Sequence, residues 1–251
     1  MSEQLHSVQI ANKSDGTQRE FFHRDTKADK GVMQQIFANQ DYSFERLRRV
    51  SELHAIYEKC VQDGQTPLIL DAGANIGASV VYWSLTFPRA HITAWEPESG
   101  NFEMLKLNSV GLNVDLRFCA IGSVSGSMEL IDPGEGEWGY RTVPGTSGKT
   151  VPVDGISTVV ASKLAAGYSP FIVKIDIEGG EDELFSRDTE WVDHFPVLII
   201  ELHDWLLPRS ASSGNFLRCI AHRNRDFVHI GENIFSLKNE AIQAAANRPS
   251  R

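Results

Sequence analysis

From Pro67 onward the chain alternates short apolar runs with stretches of helical length, and this alternation most restricts the folds open to it. Leu68–Leu70, His91–Trp95 and Val114–Phe118 read as strands, separated by helical stretches from Ala78 to Phe87 and from Ser99 to Val110. Further on, Phe171–Ile175 and Val197–Ile200 are nearly continuous apolar runs, the pattern of strands whose two faces are both covered by helices. A helix over Asn215–Arg225 follows. Then Phe227–Ile230 and Ile234–Leu237, joined by Gly231-Glu232-Asn233, read as a hairpin. The expectation is a doubly wound α/β domain on a mostly parallel sheet.

The flanks are less regular. Residues 1–30 are polar and without clear periodicity, so they read as a loose arm, while Gly31–Gln62 has helical spacing broken near Asn39–Ser43. The expected division is an N-terminal arm and helical extension at 1–66, the α/β domain at 67–240 and a fraying tail at 241–251. A glycine-rich stretch at 132–148, carrying Trp138, Tyr140 and Arg141, reads as a lid or substrate loop.

Composition narrows the function classes. With 41% apolar residues in 251, the chain can bury a sizeable core, and 33 acidic against 24 basic residues, a net charge of −9, argue against nucleic acid as a partner. Cys60, Cys119 and Cys219 form no C-x-x-C pair and read as free thiols in a reducing compartment. No apolar run is long enough to span a bilayer, and no basic segment leads into an apolar one at the start, so a soluble, cytoplasmic protein is expected.

Asp71-Ala72-Gly73-Ala74-Asn75-Ile76-Gly77 joins the first of these strands to its helix, where open α/β sheets bind nucleotides. The G-x-x-x-G spacing departs from the G-x-G-x-x-G of dinucleotide binders. A carboxylate at the strand end, Asp71, would repel a pyrophosphate but suits a ligand carrying an ammonium and a sulfonium, namely S-adenosylmethionine. Glu96 ends the next strand, 19 residues beyond Gly77, where an acid can accept both hydroxyl protons of a ribose, and Pro97 stops that strand. Cys119 and Ala120 are small enough to flank an adenine. Asn75 is expected to cap the helix or touch the ligand.

Two acidic segments complete the candidate site. Asp176 and Glu178 alternate at the exit of the fourth strand and can hold the methionine amino group, bind the acceptor or take a proton, with Glu181 opening the next helix. Glu201 and His203, two residues apart at the end of the fifth strand, share a face. A neutral His203, oriented by a carboxylate, is the favoured base for an acceptor hydroxyl, giving Asp176, Glu201 and His203 as catalytic candidates. The same group could instead hold a divalent cation, which is the less favoured reading.

The motifs Asp71–Gly77, Trp95-Glu96-Pro97, Lys174-Ile175-Asp176-Ile177-Glu178-Gly179-Gly180-Glu181 and Glu201-Leu202-His203 resemble those of the FkbM family of S-adenosylmethionine-dependent methyltransferases. The resemblance covers roughly residues 67 to 204. Gly180 stands where that family often has alanine. The resemblance implies a Rossmann-like, seven-stranded sheet of the class I methyltransferase type and methylation of a hydroxyl on a sugar or small natural product. An NAD-linked oxidoreductase or sugar epimerase is the rival enzyme reading, opposed by the missing third glycine and the lack of a Tyr-x-x-x-Lys pair. A non-catalytic cofactor-binding module is the third.

Overall fold

The computed structural model describes residues 4–12, 16–131, 141–143 and 149–239. The expected tail at 241–251, and the expected lid apart from the backbone of 141–143, lie outside the described residues.

The chain opens with two strands, β1 (Leu5–Ala11) and β2 (Gln18–Arg24), paired antiparallel. This corrects the reading of residues 1–30 as a loose arm. His6, Val8 and Ile10 face inward in alternation, a period of two too short to stand out among polar neighbours. Helix α1 (Lys27–Met33) follows, capped by the Thr26 side chain, and runs into a wide turn at Gln34–Ala38. The chain then breaks at 39–43, as the sequence predicts, before helix α2 (Val50–Gln62).

The α/β alternation comes next: β3 (Thr66–Ala72), α3 (Ala78–Thr86), β4 (His91–Trp95), α4 (Ser99–Asn108) and β5 (Val114–Arg117). A second group of strands follows, unforeseen from the sequence: β6 (Ala120–Gly122), β7 (Gly126–Ile131), β8 (Arg141–Val143) and β9 (Thr150–Gly155). They form a four-stranded sheet in the order β6-β9-β7-β8. The main fold resumes with α5 (Ile156–Ala165), β10 (Tyr168–Ile175), α6 (Glu181–Leu184), β11 (Val197–Glu201), α7 (Gly214–Ala221), β12 (Arg225–Ile230) and β13 (Asn233–Lys238).

The main sheet has seven strands in the order β12-β13-β11-β10-β3-β4-β5. Its central pairs are parallel, and β13 runs antiparallel to both β11 and β12, giving the expected C-terminal hairpin. Strands β3 and β11 are buried almost throughout, and successive side chains go to opposite faces. Ile69, Val197 and Ile199 join a core with α2, α3 and α4. Leu68, Leu70, Leu198 and Ile200 join a second core with α5, α6 and α7. The front piece belongs to the first core, through Phe21, Tyr42, Phe44, Leu53 and Tyr57. Phe44 and Tyr57 close on Phe87 with ring centroids 5.7 and 4.9 Å apart.

Strand order reverses at β3, which has β4 on one side and β10 on the other. The carboxyl ends of these strands form the crevice in which open α/β sheets bind ligands. Among the described residues no helix is long and apolar enough to cross a membrane.

Candidate functional site

The turn after β3 is built by backbone approach. Gly73 and Ala74 both donate N–H to the Trp95 carbonyl, at 3.1 and 2.8 Å, which ties the turn to the end of β4. Gly73 has φ +79°, and a Cβ there would lie 1.8 Å from the Asp176 carbonyl oxygen, so only glycine fits. Asn75 also has positive φ, 49°, and its Oδ1 accepts from Ile76 N at 2.7 Å. Asn75 is therefore not the helix cap expected: α3 begins after Gly77, whose φ of +90° makes the turn into the helix without a side-chain cap. The Asn75 bond stays within the turn.

Glu96 is buried at the end of β4 beside this turn. Its Oε2 accepts from Asn75 N at 2.9 Å and its Oε1 from Glu98 N at 2.8 Å. Burial pushes its pKa up to about 7 against those two N–H donors. Each oxygen keeps a further lone pair. Next to it, Trp95 donates Nε1–H to Asp154 Oδ2 at 3.0 Å, linking the main sheet to β9. Cys119 and Ala120 are buried at the start of β6, and burial raises the Cys119 thiol to about 12, so it is inert packing rather than a nucleophile.

Asp71 is a correction. Its carboxylate is 0% exposed and stands 3.3 Å from Lys174 Nζ, so its charge faces a protein cation and not a ligand. The reason is register: Asp71 of β3 pairs directly with Lys174 of β10. Lys174 also donates to the carbonyls of Gly73, at 2.6 Å, and Ala72, at 3.3 Å, and lies 3.6 Å from Asp176 Oδ2. Tyr42, from the break in the front piece, covers it with its ring, 5.8 Å from Nζ. Burial disfavours the ammonium, but Tyr42, Asp71 and Asp176 outweigh burial and raise its pKa above the ordinary lysine value. Neither Tyr42 nor this role of Lys174 was foreseen; the signal was the lone cation in the apolar run 171–175.

Beyond Lys174, the strand ends bring Asp176, Glu178, Glu201 and His203 together as the sequence predicts. The His203 ring is 1% exposed, and its Nε2 lies 3.6 Å from Asp176 Oδ1, 3.4 Å from Glu178 Oε2 and 3.6 Å from Glu201 Oε1. Glu178 is held at φ +52°, a strained value for a glutamate. The carboxylate that orients the ring is Glu181 and not Glu201. Glu181 Oε1 accepts from His203 Nδ1 at 2.9 Å and is steadied by the N–H groups of Gly179 and Ile177 at 3.3 and 3.4 Å. Glu181 opens α6, as expected, and is fully buried.

Burial favours neutral imidazole, but Glu181, Asp176 and Glu178 outweigh it and push His203 up to about 10. From these protein groups alone the ring favours its protonated form, which runs against the neutral imidazole expected of a base. Burial and then Asp176 raise Glu178 to about 7 and Glu201 to about 8. Asp176, Glu178 and His203 each present one ligand atom, all within 4.8 Å of one another, and could hold a metal ion. Trp205, 69% exposed, stands at the rim with its ring 6.3 Å from that of His203.

No family model matches this chain, and no curated protein does, so the resemblance to the FkbM family rests on its motifs. Among solved structures, the O-methyltransferase from Bacillus cereus in complex with SAH overlaps with TM-score 0.42 at 12% identity, over 83% of this chain and 90% of that one. TomG from Streptomyces achromogenes, an O-methyltransferase involved in tomaymycin synthesis and solved with SAM, gives 0.44 and 12% over 86% and 92%. The precorrin-6y C5,15-methyltransferase from Geobacter metallireducens gives 0.38 and 12% over 78% and 92%. Overlaps of this size carry neither activity nor acceptor across to this chain.

Proposed function

We propose that the chain is an S-adenosylmethionine-dependent methyltransferase acting on a hydroxyl group. The observation that carries this reading is Glu96: a buried carboxylate at the end of β4, fastened to the glycine turn through Asn75 N, with a lone pair left on each oxygen for the two ribose hydroxyls. Gly73, Ala74, Asn75 and Gly77 give the cofactor its backbone-lined cradle, Pro97 turns the chain away beyond Glu96, and Cys119 and Ala120 lie on the adenine side. Asp71 acts from behind, through Lys174.

The carboxylates Asp176 and Glu178 face the crevice with excess negative charge, which suits the ammonium and sulfonium of the cofactor. The sulfonium is already an excellent leaving group, so the protein's task is to align acceptor oxygen, methyl carbon and sulfur. The hydroxyl proton leaves within the group formed by Asp176, Glu178, Glu201 and His203. Membership of the FkbM family, and a sugar or small natural product as acceptor, are the finer parts of the proposal and rest on the motifs.

Calorimetric titration with S-adenosylmethionine, S-adenosylhomocysteine and NAD tests it. Micromolar binding of both sulfur nucleosides, weakened about thirtyfold in Glu96→Ala, is the expected result. Binding of NAD alone would make the chain an oxidoreductase or epimerase, and binding of none would leave an interaction module.

A further inference from the structure

We propose that Asp176, Glu178 and His203 form a divalent-cation site at the acceptor end of the crevice. The first ground is the donor set: two carboxylate oxygens and one imidazole nitrogen, from three residues on two neighbouring strand ends, converge within 4.8 Å. Oxygen donors with a single imidazole suit Mn²⁺ and its hard or borderline relatives.

The second ground is the state of the ring. His203 is 1% exposed and its Nδ1 is bound to Glu181 at 2.9 Å, the arrangement in which an outer carboxylate fixes a metal-ligating histidine and turns its other nitrogen inward. Nε2 makes no hydrogen bond to any described residue. It faces Asp176 Oδ1, Glu178 Oε2 and Glu201 Oε1 at 3.6, 3.4 and 3.6 Å. A charge-assisted N–H···O bond draws its partners to about 2.7–2.9 Å. Donors that share one ion at about 2.1–2.3 Å, by contrast, sit roughly 3.0–3.6 Å from each other. The spacings from Nε2 to Asp176 and Glu178 fall within that range of common ligands and beyond that of charge-assisted hydrogen bonds, while Glu201 has the same reach to Nε2 but lies outside the group whose donor atoms are all within 4.8 Å of one another. Asp176 can serve both neighbours, since Oδ2 is turned to Lys174 at 3.6 Å and Oδ1 to His203.

The site stands on this geometry; its role in methyl transfer rests on the reading under Proposed function. There the cation binds the acceptor oxygen and favours its ionised form. The hydroxyl proton passes into the surrounding carboxylate group as the oxygen bonds to the methyl carbon and the carbon–sulfur bond breaks, releasing S-adenosylhomocysteine. His203 is then a ligand and not the base.

The test is titration of the whole, chelator-treated chain with Mn²⁺ alone, followed by electron paramagnetic resonance, with no nucleoside present. One bound Mn²⁺ per chain is expected, with affinity lowered at least about tenfold in Glu178→Gln, a partly exposed position where the substitution spares the core, and in Glu181→Gln through loss of the orienting bond. Absence of binding at millimolar Mn²⁺, or binding that Glu178→Gln leaves unchanged, overturns the site. Nitrogen-15 spectra give an independent reading: a His203 doubly protonated with and without Mg²⁺ means an imidazolium held by carboxylates only, whereas loss of the Nε2 proton on adding Mg²⁺ supports coordination. A chain that binds Mn²⁺ and no S-adenosyl compound retains the site and loses the methyltransferase reading. The reverse result does the opposite.

Discussion

Two buried acidic regions, about one strand apart, solve the same problem in opposite ways. Glu96 is a single carboxylate satisfied by two backbone N–H groups, and burial leaves it half ionised near neutral pH. Around His203, carboxylates gather on one imidazole, and among the described residues only Glu181 receives support from backbone N–H groups. A lone carboxylate held by amides is ready for neutral donors such as hydroxyls. A crowd of carboxylates asks for positive charge. In the proposed function this difference separates the end of the crevice that would take the nucleoside from the end that would take the acceptor, with Lys174 between them.

The largest effect is expected where the two regions meet. Lys174→Met strands Asp71 as a buried, unpaired charge and should cost about 3–5 kcal/mol in urea-induced unfolding; a near-neutral result would mean that the Asp71–Lys174 pair adds little net stability. Gly73→Ala comes next, because its Cβ would collide with the Asp176 carbonyl at 1.8 Å in a left-handed backbone. About 3 kcal/mol of stability, and S-adenosylhomocysteine binding with it, should be lost by calorimetry.

Glu96→Ala acts at one end alone. Losing hydrogen bonds to a charged group should weaken S-adenosylhomocysteine by about 2 kcal/mol, some thirtyfold. The smallest effect is that of pH. Ribose hydroxyls donate to ionised Glu96, so the nucleoside lowers a pKa that stands at about 7 in the free chain. Affinity should therefore fall by up to about tenfold for each pH unit below 7. Stability runs the other way: this pKa is raised on folding, so the Glu96 contribution is most favourable in acid and declines as pH climbs from about 4.5 to about 7.

The strands of the main sheet were legible because burial on both faces leaves apolar runs that need no partner to be recognised. Glu96 was legible for a related reason: it follows such a run at a spacing set by one helix and one strand. What depends on register was not. Asp71 read as a ligand for a cationic cofactor because nothing along the chain says that Lys174 lies opposite it. Glu181 read as a helix opener, which it is, but a sequence separation of 22 between it and His203 hides their contact. The β1–β2 strands are half-polar, and those of the four-stranded sheet run only three to six residues, so their alternation is easily lost among loop residues.

One such long-range contact bears on the order in which the molecule is made. Asn108, at the end of α4, accepts from Phe22 N at 2.7 Å and donates to the carbonyls of Phe22, at 2.9 Å, and Ile76, at 2.8 Å. A single amide thus joins the first hairpin to α4, 86 residues further along the chain, and to the turn after β3. During synthesis the hairpin emerges long before its anchor, and closing so long a loop is slow. The Phe22–Asn108 fastening beside the turn after β3 is made only when the earliest segment of the chain returns to it.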